Sequence, residues 1–363
     1  MPAMRSKLNA ATTLFGTYAI IKPGQRVLML NSDDPALARW ALDMVAPDGQ
    51  VTALHSSHRS LATLARVPGL DTAATVYPDP AQHGDADVAL LEIPKGREAA
   101  RAWLWTAAQS IRPGGTLYLA GANAAGAKSA IKDAEALLGS APVLGHKGGH
   151  RLALAQRPDT LALPPAWGDT RPWEPRTVHL THGGQEVPVV SMPGLFSWNE
   201  LDEGTALLLD HLVGDTVRAG MDVLDVGCGY GIVGLVAARS GARVTLIDDD
   251  LRAVRCARET IRLNGLDDRC TVQPGDVMEG LSGQTFDLVL SNPPFHQGTE
   301  VMTATAHQIV RQARDVLKPG GRLLVVANRF LPYDRTITEV FGSARIVAET
   351  TRFYVIEGVR GRA

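Results

Sequence analysis

Three cysteines are present in 363 residues, Cys228, Cys256 and Cys270, with no C-x-x-C pair among them. So few thiols support neither a disulfide framework nor a zinc site, and all three are expected to be reduced. No apolar run approaches the ~20 residues of a membrane span, and no signal-peptide core opens the chain, so a cytoplasmic protein is expected. Charge of either sign is also scarce in excess: the net is −2, with residues 1–170 near +2 and 171–363 near −4. That balance excludes a protein that grips naked nucleic acid by bulk charge. Any nucleic-acid contact would need a local patch, or a substrate already partly neutralised by other proteins.

What the chain does have is length and core-forming residues. At 45% hydrophobic and roughly 150 residues per domain, two domains are expected. The stretch from Arg157 to Pro175 carries Pro158, Pro164, Pro165, Pro172 and Pro175, which suit neither a helix nor a central strand. It reads as a linker over 158–176 between a first domain at 1–157 and a second at 177–363. In the second, Thr177–Leu180 and Glu186–Val190 flank His182-Gly183-Gly184 as a hairpin. Strands at Val223–Val226, Arg243–Ile247, Thr271–Gln273, Phe286–Leu290 and Arg322–Ala327 then alternate with helices at Ile232–Ser240, Leu251–Asn264 and Ala304–Leu317. Ala344–Ala348 and Phe353–Glu357 close the pattern. Such alternation predicts an α/β fold, a parallel sheet with helices on both faces.

The first domain repeats the plan. Gly24–Leu30 lines up with Gly220–Val226, Asp87–Leu90 with Asp287–Leu290, and Arg112-Pro113-Gly114-Gly115 with Lys318-Pro319-Gly320-Gly321, in the same order and at offsets of about 200. One fold written twice is the expectation. Two unrelated domains of similar plan would be the competing explanation.

Asp225-Val226-Gly227-Cys228-Gly229-Tyr230-Gly231 falls where a strand ends and a helix begins, the place at which open α/β sheets bind ligands. Asp248 ends the next strand, as needed for a carboxylate that accepts ribose hydroxyls. A tight turn followed by a surface acid would be the structural alternative. A dinucleotide fingerprint has its third glycine further on, so a nucleotide other than NAD is favoured. The Gly-x-Gly-x-Gly spacing opened by an acid resembles the S-adenosylmethionine loop of class I methyltransferases, which implies that Asp225 lies near the cationic end of that cofactor. Asp276, in Gly275-Asp276-Val277 at the end of the third strand, matches the position that holds the adenine amino group.

Ser291-Asn292-Pro293-Pro294-Phe295 ends the fourth strand. Two consecutive prolines stop a central strand and stiffen its exit, so that a carbonyl and the Asn292 side chain can point in fixed directions. The run resembles the Asn-Pro-Pro-aromatic tetrad of methyltransferases acting on an amino group conjugated to a ring or carbonyl. The resemblance implies that Asn292 and Pro293 accept hydrogen bonds from that amine, that Pro294 stiffens the turn, and that Phe295 stacks on an unstacked base. A proline-stiffened strand exit with a buried Phe would be the plain structural alternative. His296 is expected to make a structural hydrogen bond and His307 to sit on a helix face.

Further runs narrow the resemblance: Pro193–Ser197, Leu201-Asp202-Glu203-Gly204-Thr205, Phe295-His296-Gln297-Gly298, Ala327–Tyr333 and Thr351-Arg352-Phe353. Over residues 193–360 the chain resembles the ribosomal RNA small-subunit (guanine-N2-)-methyltransferases of the RsmC/RlmG type. That family implies two tandem Rossmann-like class I methyltransferase domains, each a seven-stranded mostly parallel sheet, with only the second active. It implies S-adenosyl-L-methionine held by Asp225, Gly227, Gly229, Gly231, Asp248, Asp276, Gly204 and Thr205, and no metal. The implied substrate is a guanine N2 in 16S ribosomal RNA, within the small subunit or an assembly intermediate. A 23S guanine, an N6-adenine or protein-glutamine methyltransferase, and an inactive cofactor-binding assembly protein are the competing readings. In the first copy Asn31–Pro35 replace Gly227–Gly231, His55 stands at the place of Asp248, and Leu91-Glu92-Ile93-Pro94 replaces the tetrad, so that copy is expected to be degenerate and kept for recognition or stability. Its basic stretch of Lys128, Lys132, His146, Lys147, His150 and Arg151 would suit phosphates, with a solvated face as the simpler explanation.

Overall fold

The computed structural model describes residues 9–74, 85–169, 171–214, 216–293, 299–329, 331 and 333–362, with side chains not described over 299–306. The chain divides into two compact units, Met1–Glu174 and Pro175–Ala363. In the first unit β1 (Arg26–Leu30), β2 (Gln50–His55), β3 (Asp71–Ala74), β4 (Ala86–Glu92), β5 (Ile111–Ala122), β6 (Val143–Lys147) and β7 (His150–Gln156) form one sheet in the order β3-β2-β1-β4-β5-β7-β6. The first five are parallel and β7 runs antiparallel to both β5 and β6. Helices α1 (Ala10–Tyr18), α2 (Pro35–Val45), α3 (His58–Leu64), α4 (Arg97–Ser110) and α5 (Ala127–Leu138) cover it.

The second unit opens on a hairpin, β8 (Arg176–His182) and β9 (Gln185–Ser191), followed by α6 (Glu203–Leu212). The sheet strands are β10 (Asp222–Val226), β11 (Arg243–Asp248), β12 (Cys270–Pro274), β13 (Phe286–Ser291), β14 (Leu317–Asn328), β15 (Arg345–Glu349) and β16 (Phe353–Val359). Their order is β12-β11-β10-β13-β14-β16-β15, the same permutation as in the first unit. Helices α7 (Ile232–Arg239), α8 (Leu251–Leu263), α9 (Thr299–Val316) and α10 (Tyr333–Phe341) complete the unit. The chain leaves β10 toward β11 and β12 and returns to β13 on the other side, so the strand order reverses between β10 and β13. Such a reversal is the place at which open α/β sheets bind ligands, beyond the carboxyl ends of the strands.

The twofold plan extends to individual hydrogen bonds. Asp87 Oδ2 accepts the Arg26 N–H at 2.8 Å and Asp287 Oδ2 accepts the Asp222 N–H at 2.8 Å, while Arg112 and Lys318 sit on the same two carboxylates. The Pro-Gly-Gly turns close alike: Gly114 N–H donates to the Arg157 carbonyl and Gly320 N–H to that of Arg360, both at 2.9 Å. Predicted and observed elements differ at ends. α9 begins at Thr299 rather than Ala304, and β14 at Leu317 rather than Arg322, because Leu317 already pairs with Phe286 across a register shift.

Buried apolar residues of strands and helices cluster around Met29, Leu37 and Leu90 in the first unit and Leu224, Val289 and Val325 in the second, and further buried residues such as Leu30, Trp103 and Leu104, or Val223, Leu246 and Leu290, lie outside these clusters. The hairpin caps α8: Thr260 Oγ1 bonds both the N–H and the carbonyl of Val190, and Asn264 Nδ2 donates to the Pro188 carbonyl. All three cysteines are free. Among the described residues no helix is long and apolar enough to cross a membrane.

The proline-rich stretch packs onto the first unit. Trp167, in a 3-10 turn at Pro165–Trp167, is buried under the Arg101 guanidinium, 5.1 Å from the ring centroid. Trp173 stacks on Trp105 with centroids 5.1 Å apart and planes at 8°. Asp133, itself buried, accepts from Arg101 and Arg97 and so holds the guanidinium in place. These contacts rest on α4. Replacing both Trp167 and Trp173 by Ala should speed proteinase K cleavage within 157–175 by at least roughly tenfold, because local opening no longer exposes two buried indoles. An unchanged cleavage rate would show that the segment is held by something else.

Candidate active site

The loop after β10 is built to expose backbone. Gly227, Gly229 and Gly231 all have positive φ, 70°, 56° and 87°. At Gly229 a Cβ would meet nothing within 4 Å, so the loop faces open space, whereas at Gly231 it would meet Ala257 Cβ at 3.1 Å, where α8 packs against the loop. Two N–H groups, of Gly227 and Cys228, donate to the Ile247 carbonyl and tie the loop to β11.

Asp225 is buried, and its Oδ2 accepts the Gly234 N–H in the first turn of α7 at 2.9 Å. Burial pushes its pKa up to about 7, and the Asp248 carboxylate pushes the same way. Asp248 Oδ2 accepts the Gly229 N–H and Oδ1 the Asp250 N–H, each at 2.8 Å. Its pKa too is raised to about 7, by burial first and then by Asp250 and Asp249, against the two hydrogen bonds. A carboxylate oxygen has two lone pairs, so each oxygen of Asp248 can still accept a hydroxyl after fixing the loop.

Asp276 is placed by a tight turn. Gly275 N–H donates to the Asp248 carbonyl at 3.0 Å, and the Asp276 carbonyl accepts from Glu279 N–H. A Cβ at Gly275 would fall 2.5 Å from Ile247 Cδ1. Val277 is held at φ 56°, a costly conformation for a β-branched residue, which persists only where the surroundings impose it. The ends of β10, β11 and β12 thus bring Asp225, Asp248 and Asp276 to one rim.

Asn292, just past the end of β13, is the most constrained polar side chain of the site. Its Nδ2 donates to Asp202 Oδ2 at 3.0 Å and to Thr205 Oγ1 at 2.8 Å. Since a carboxylate can only accept, the amide orientation is settled by its partners: nitrogen toward Asp202, oxygen away. That oxygen, Oδ1, is buried and has no hydrogen-bond partner among the described residues. An unmet buried acceptor costs about 1–3 kcal/mol, a cost that an arriving donor relieves. Pro293 follows; Pro294, Phe295 and His296 lie outside the described residues, and so do the side chain of Phe330 and Pro332.

Asp202, quoted in the sequence only within the run Leu201–Thr205, is the residue that orients Asn292. It is the N-cap of α6, its Oδ2 accepting the Thr205 N–H at 2.8 Å and the Thr205 hydroxyl at 3.2 Å. A single carboxylate oxygen therefore both starts α6 and orients Asn292. The signal was present in the sequence as an acid three residues before a threonine, but a capping box says nothing of a partner 90 residues away. Gly204 and Thr205, expected at the cofactor, also make packing and positioning contacts. A Cβ on Gly204 would fall 2.9 Å from Val326 Cγ1 and 3.3 Å from Phe353 Cδ1, so glycine lets the N-terminus of α6 approach the sheet.

The first unit holds the same amide–carboxylate pair with its members exchanged. Asn9, the N-cap of α1, donates through Nδ2 to Glu92 Oε1 at 3.0 Å, and Ser32 Oγ donates to Oε2 at 2.8 Å. Burial, with Asp33 and Asp34 nearby, raises the Glu92 pKa while those two hydrogen bonds lower it. Both carboxylate oxygens are thus engaged. Asn31 stands at φ 56° where Gly227 stands, and Thr12 Oγ1 ties Asp34 of the same loop to α1 at 2.5 Å. His55 Nδ1 accepts the Ser57 N–H much as Asp248 accepts that of Asp250. Side chains close this cleft. Among the described residues no group of three His, Cys, Asp or Glu is placed to hold a metal.

Comparison with known proteins agrees with this geometry. The family model "Methyltransferase small domain" matches residues 186–357 and "Methyltransferase small domain N-terminal" matches residues 23–141. The ribosomal RNA small subunit methyltransferase C of Alcanivorax borkumensis is 31% identical over 340 residues, 93% of this chain and 94% of that protein. The protein of the same name from Cronobacter sakazakii is 30% identical over 352 residues, 94% and 97% of the two chains. The solved structure of the T. thermophilus 16S rRNA N2 G1207 methyltransferase in complex with AdoMet and guanosine is similar with a TM-score of 0.83 and 29% identity, covering 99% of this chain and 94% of that one.

The raised pKa of Asp225 carries a pH signature. Its folded form holds a proton that the unfolded chain has already lost, so its contribution to stability is complete below about pH 4 and is lost as pH rises to about 7. Asp225→Asn keeps an acceptor for Gly234 and removes the titration. In cofactor-free protein, the fall in urea-unfolding free energy across that interval should be shallower in the variant, by at most about 1.4 kcal/mol per pH unit. Parallel profiles for the two proteins would contradict the assignment.

Proposed function

The chain belongs to the ribosomal RNA small subunit methyltransferase C family, and from that premise we propose that it transfers a methyl group from S-adenosylmethionine to the exocyclic N2 of a guanine in 16S ribosomal RNA. The observation that carries this reading is the buried, partnerless Oδ1 of Asn292, oriented by Asp202 and Thr205. An amide oxygen held without a donor fits an incoming N–H.

The cofactor fits the cleft beside it. Open backbone at Gly227 and Gly229 admits it, Asp248 retains lone pairs for ribose hydroxyls, Asp276 just past β12 is assigned to the adenine amine, and Asp225 and Gly231 hold the loop in shape. When bound, S-adenosylmethionine supplies an electrophilic methyl group on a sulfonium. The protein's task is the nucleophile. The guanine N2 lone pair is delocalised into the ring and attacks poorly. Asn292 Oδ1 and the Pro293 carbonyl accept its two N–H groups, which favours pyramidalisation and fixes the nitrogen in line for attack. Positioning of this kind lowers barriers by several kcal/mol. Nitrogen becomes strongly acidic on gaining the methyl group, so its proton can leave to water without a dedicated base. The stacking expected of Phe295 and the stiffening expected of Pro294 rest on the family resemblance, both residues lying outside the described ones.

We assign the first unit to recognition of the RNA or to stabilising the second, since its cleft is filled by Asn9, Ser32 and Glu92. With a net charge of −2, the favoured substrate is RNA already partly covered by protein, in the small subunit or an assembly intermediate, in the cytoplasm.

The test is product analysis. Small subunits from cells lacking the gene, incubated with the protein and labelled cofactor, should yield N2-methylguanosine in 16S RNA alone. Labelled N6-methyladenosine, or an unchanged N2-methylguanosine pattern in the deletion strain, would sink the proposal. Asn292→Ala should reduce turnover by roughly a hundredfold or more while leaving cofactor affinity unchanged. Asp202→Ser separates capping from positioning: serine still caps α6 but is too short to reach Asn292. Turnover should fall about tenfold or more with little change in unfolding midpoint. Full activity in that variant would remove Asp202 from the site.

A further inference from the structure

A second amide sits on the same face of the sheet. Asn328 ends β14, the strand beside β13, and its Oδ1 is buried with no hydrogen-bond partner among the described residues. Ser291 pairs with Val325, so Asn292 lies level with Val326 and Asn328 is two residues further along the neighbouring strand. Val326 faces the N-terminus of α6, where its Cγ1 closes on Gly204. Side chains two residues apart on a strand share a face, so Asn328 lies on the face where Asn292 meets Asp202 and Thr205. Strand spacing and rise put the two Cα atoms on the order of 8 Å apart. Two such side chains can reach adjacent atoms of one planar ring.

The first unit offers a natural control. The shared Pro-Gly-Gly turn aligns Asn328 with Ala122, and Asn292 aligns with Glu92, both of whose oxygens are engaged. Ala122 pairs with His150 as Asn328 pairs with Phe353, which confirms the register. Where the cleft is closed, neither strand end presents an open acceptor. Both do where it is open.

Guanine explains why two acceptors would be wanted. Its amino group lies beside N1–H, so its edge presents donors at N2 and N1. Adenine and cytosine place a ring nitrogen acceptor beside their amino groups. Resting on the methyl transfer proposed above, we propose that Asn328 is a specificity-determining residue whose side-chain oxygen accepts the guanine N1–H while Asn292 and Pro293 accept N2. An amino group next to a ring acceptor would leave two lone pairs opposed and buried, which is how hydrogen-bonding sites reject close analogues.

The test compares guanosine with 2-aminopurine riboside, which keeps the 2-amino group but lacks the N1 hydrogen. Binding of each to the full chain saturated with S-adenosylhomocysteine is measured by calorimetry. The wild type should prefer guanosine by about tenfold or more. Asn328→Ala should weaken guanosine and leave 2-aminopurine riboside bound no more weakly than before, so that the preference is lost. Asn328→Asp, which can only accept, should keep the preference for guanosine. It also decides the matter if the alanine variant no longer binds S-adenosylhomocysteine. No preference in the wild type, an unchanged preference in Asn328→Ala, or a lost preference in Asn328→Asp each overturns the assignment. Failure here is separable from failure of the function itself: wild type that forms N2-methylguanosine on small subunits while Asn328→Ala keeps its preference removes Asn328 alone. Absence of N2-methylguanosine removes the reading beneath it.

Discussion

One carboxylate oxygen organises the active unit. Asp202 Oδ2 accepts the Thr205 N–H in the first turn of α6, the Thr205 hydroxyl and the Asn292 amide, so the start of a helix and the direction of a side chain are settled together. The consequence is chirality of function within an amide. Because the nitrogen is engaged, the oxygen is presented, and an asparagine that could donate or accept becomes an acceptor only. Gly204 makes the arrangement possible, since a side chain there would hold α6 off Val326 and Phe353 and withdraw Asp202 from reach.

The degenerate copy shows what that interaction is for. It keeps an amide and a carboxylate at the same two places, yet with Asn9 on the helix and Glu92 on the strand. The helix still gains its cap and the strand end is still tied down, so the structural benefit survives the exchange. What is lost is the open acceptor over the cleft. Fold and chemistry have therefore separated: the sheet order, the aspartate under β1 or β10 and the Pro-Gly-Gly closure are common to both units, while the groups that would touch ligands differ.

Much of the fold was legible because its causes are local. Short β-branched runs alternating with amphipathic helices specify a parallel sheet, and the repeat of Gly24–Leu30 in Gly220–Val226 announced its duplication. Boundaries were read less well where pairing decided them, as at Leu317, which joins β14 through Phe286. Among the candidate site residues, the glycine loop and Asp248 were visible because spacing along one strand-turn-helix unit is a local property. The positioning roles of Asp202 and Thr205 were not, since they depend on a strand 87 to 90 residues away. The proline-rich stretch read as a plain connector, whereas Trp167 and Trp173 anchor it to α4 through partners more than 60 residues distant.

By itself, then, the sequence determined the α/β class, the repeated plan, the absence of disulfides, and an amide followed by prolines at a strand end. Each follows from residue type and short-range spacing. Only the tertiary structure decided which atom of that amide faces the cleft, that an N-cap aspartate decides it, and that Asn328 brings a second open acceptor to the same face. Those are relations between segments brought together by sheet order, and hydrogen-bond direction depends on which partner arrives.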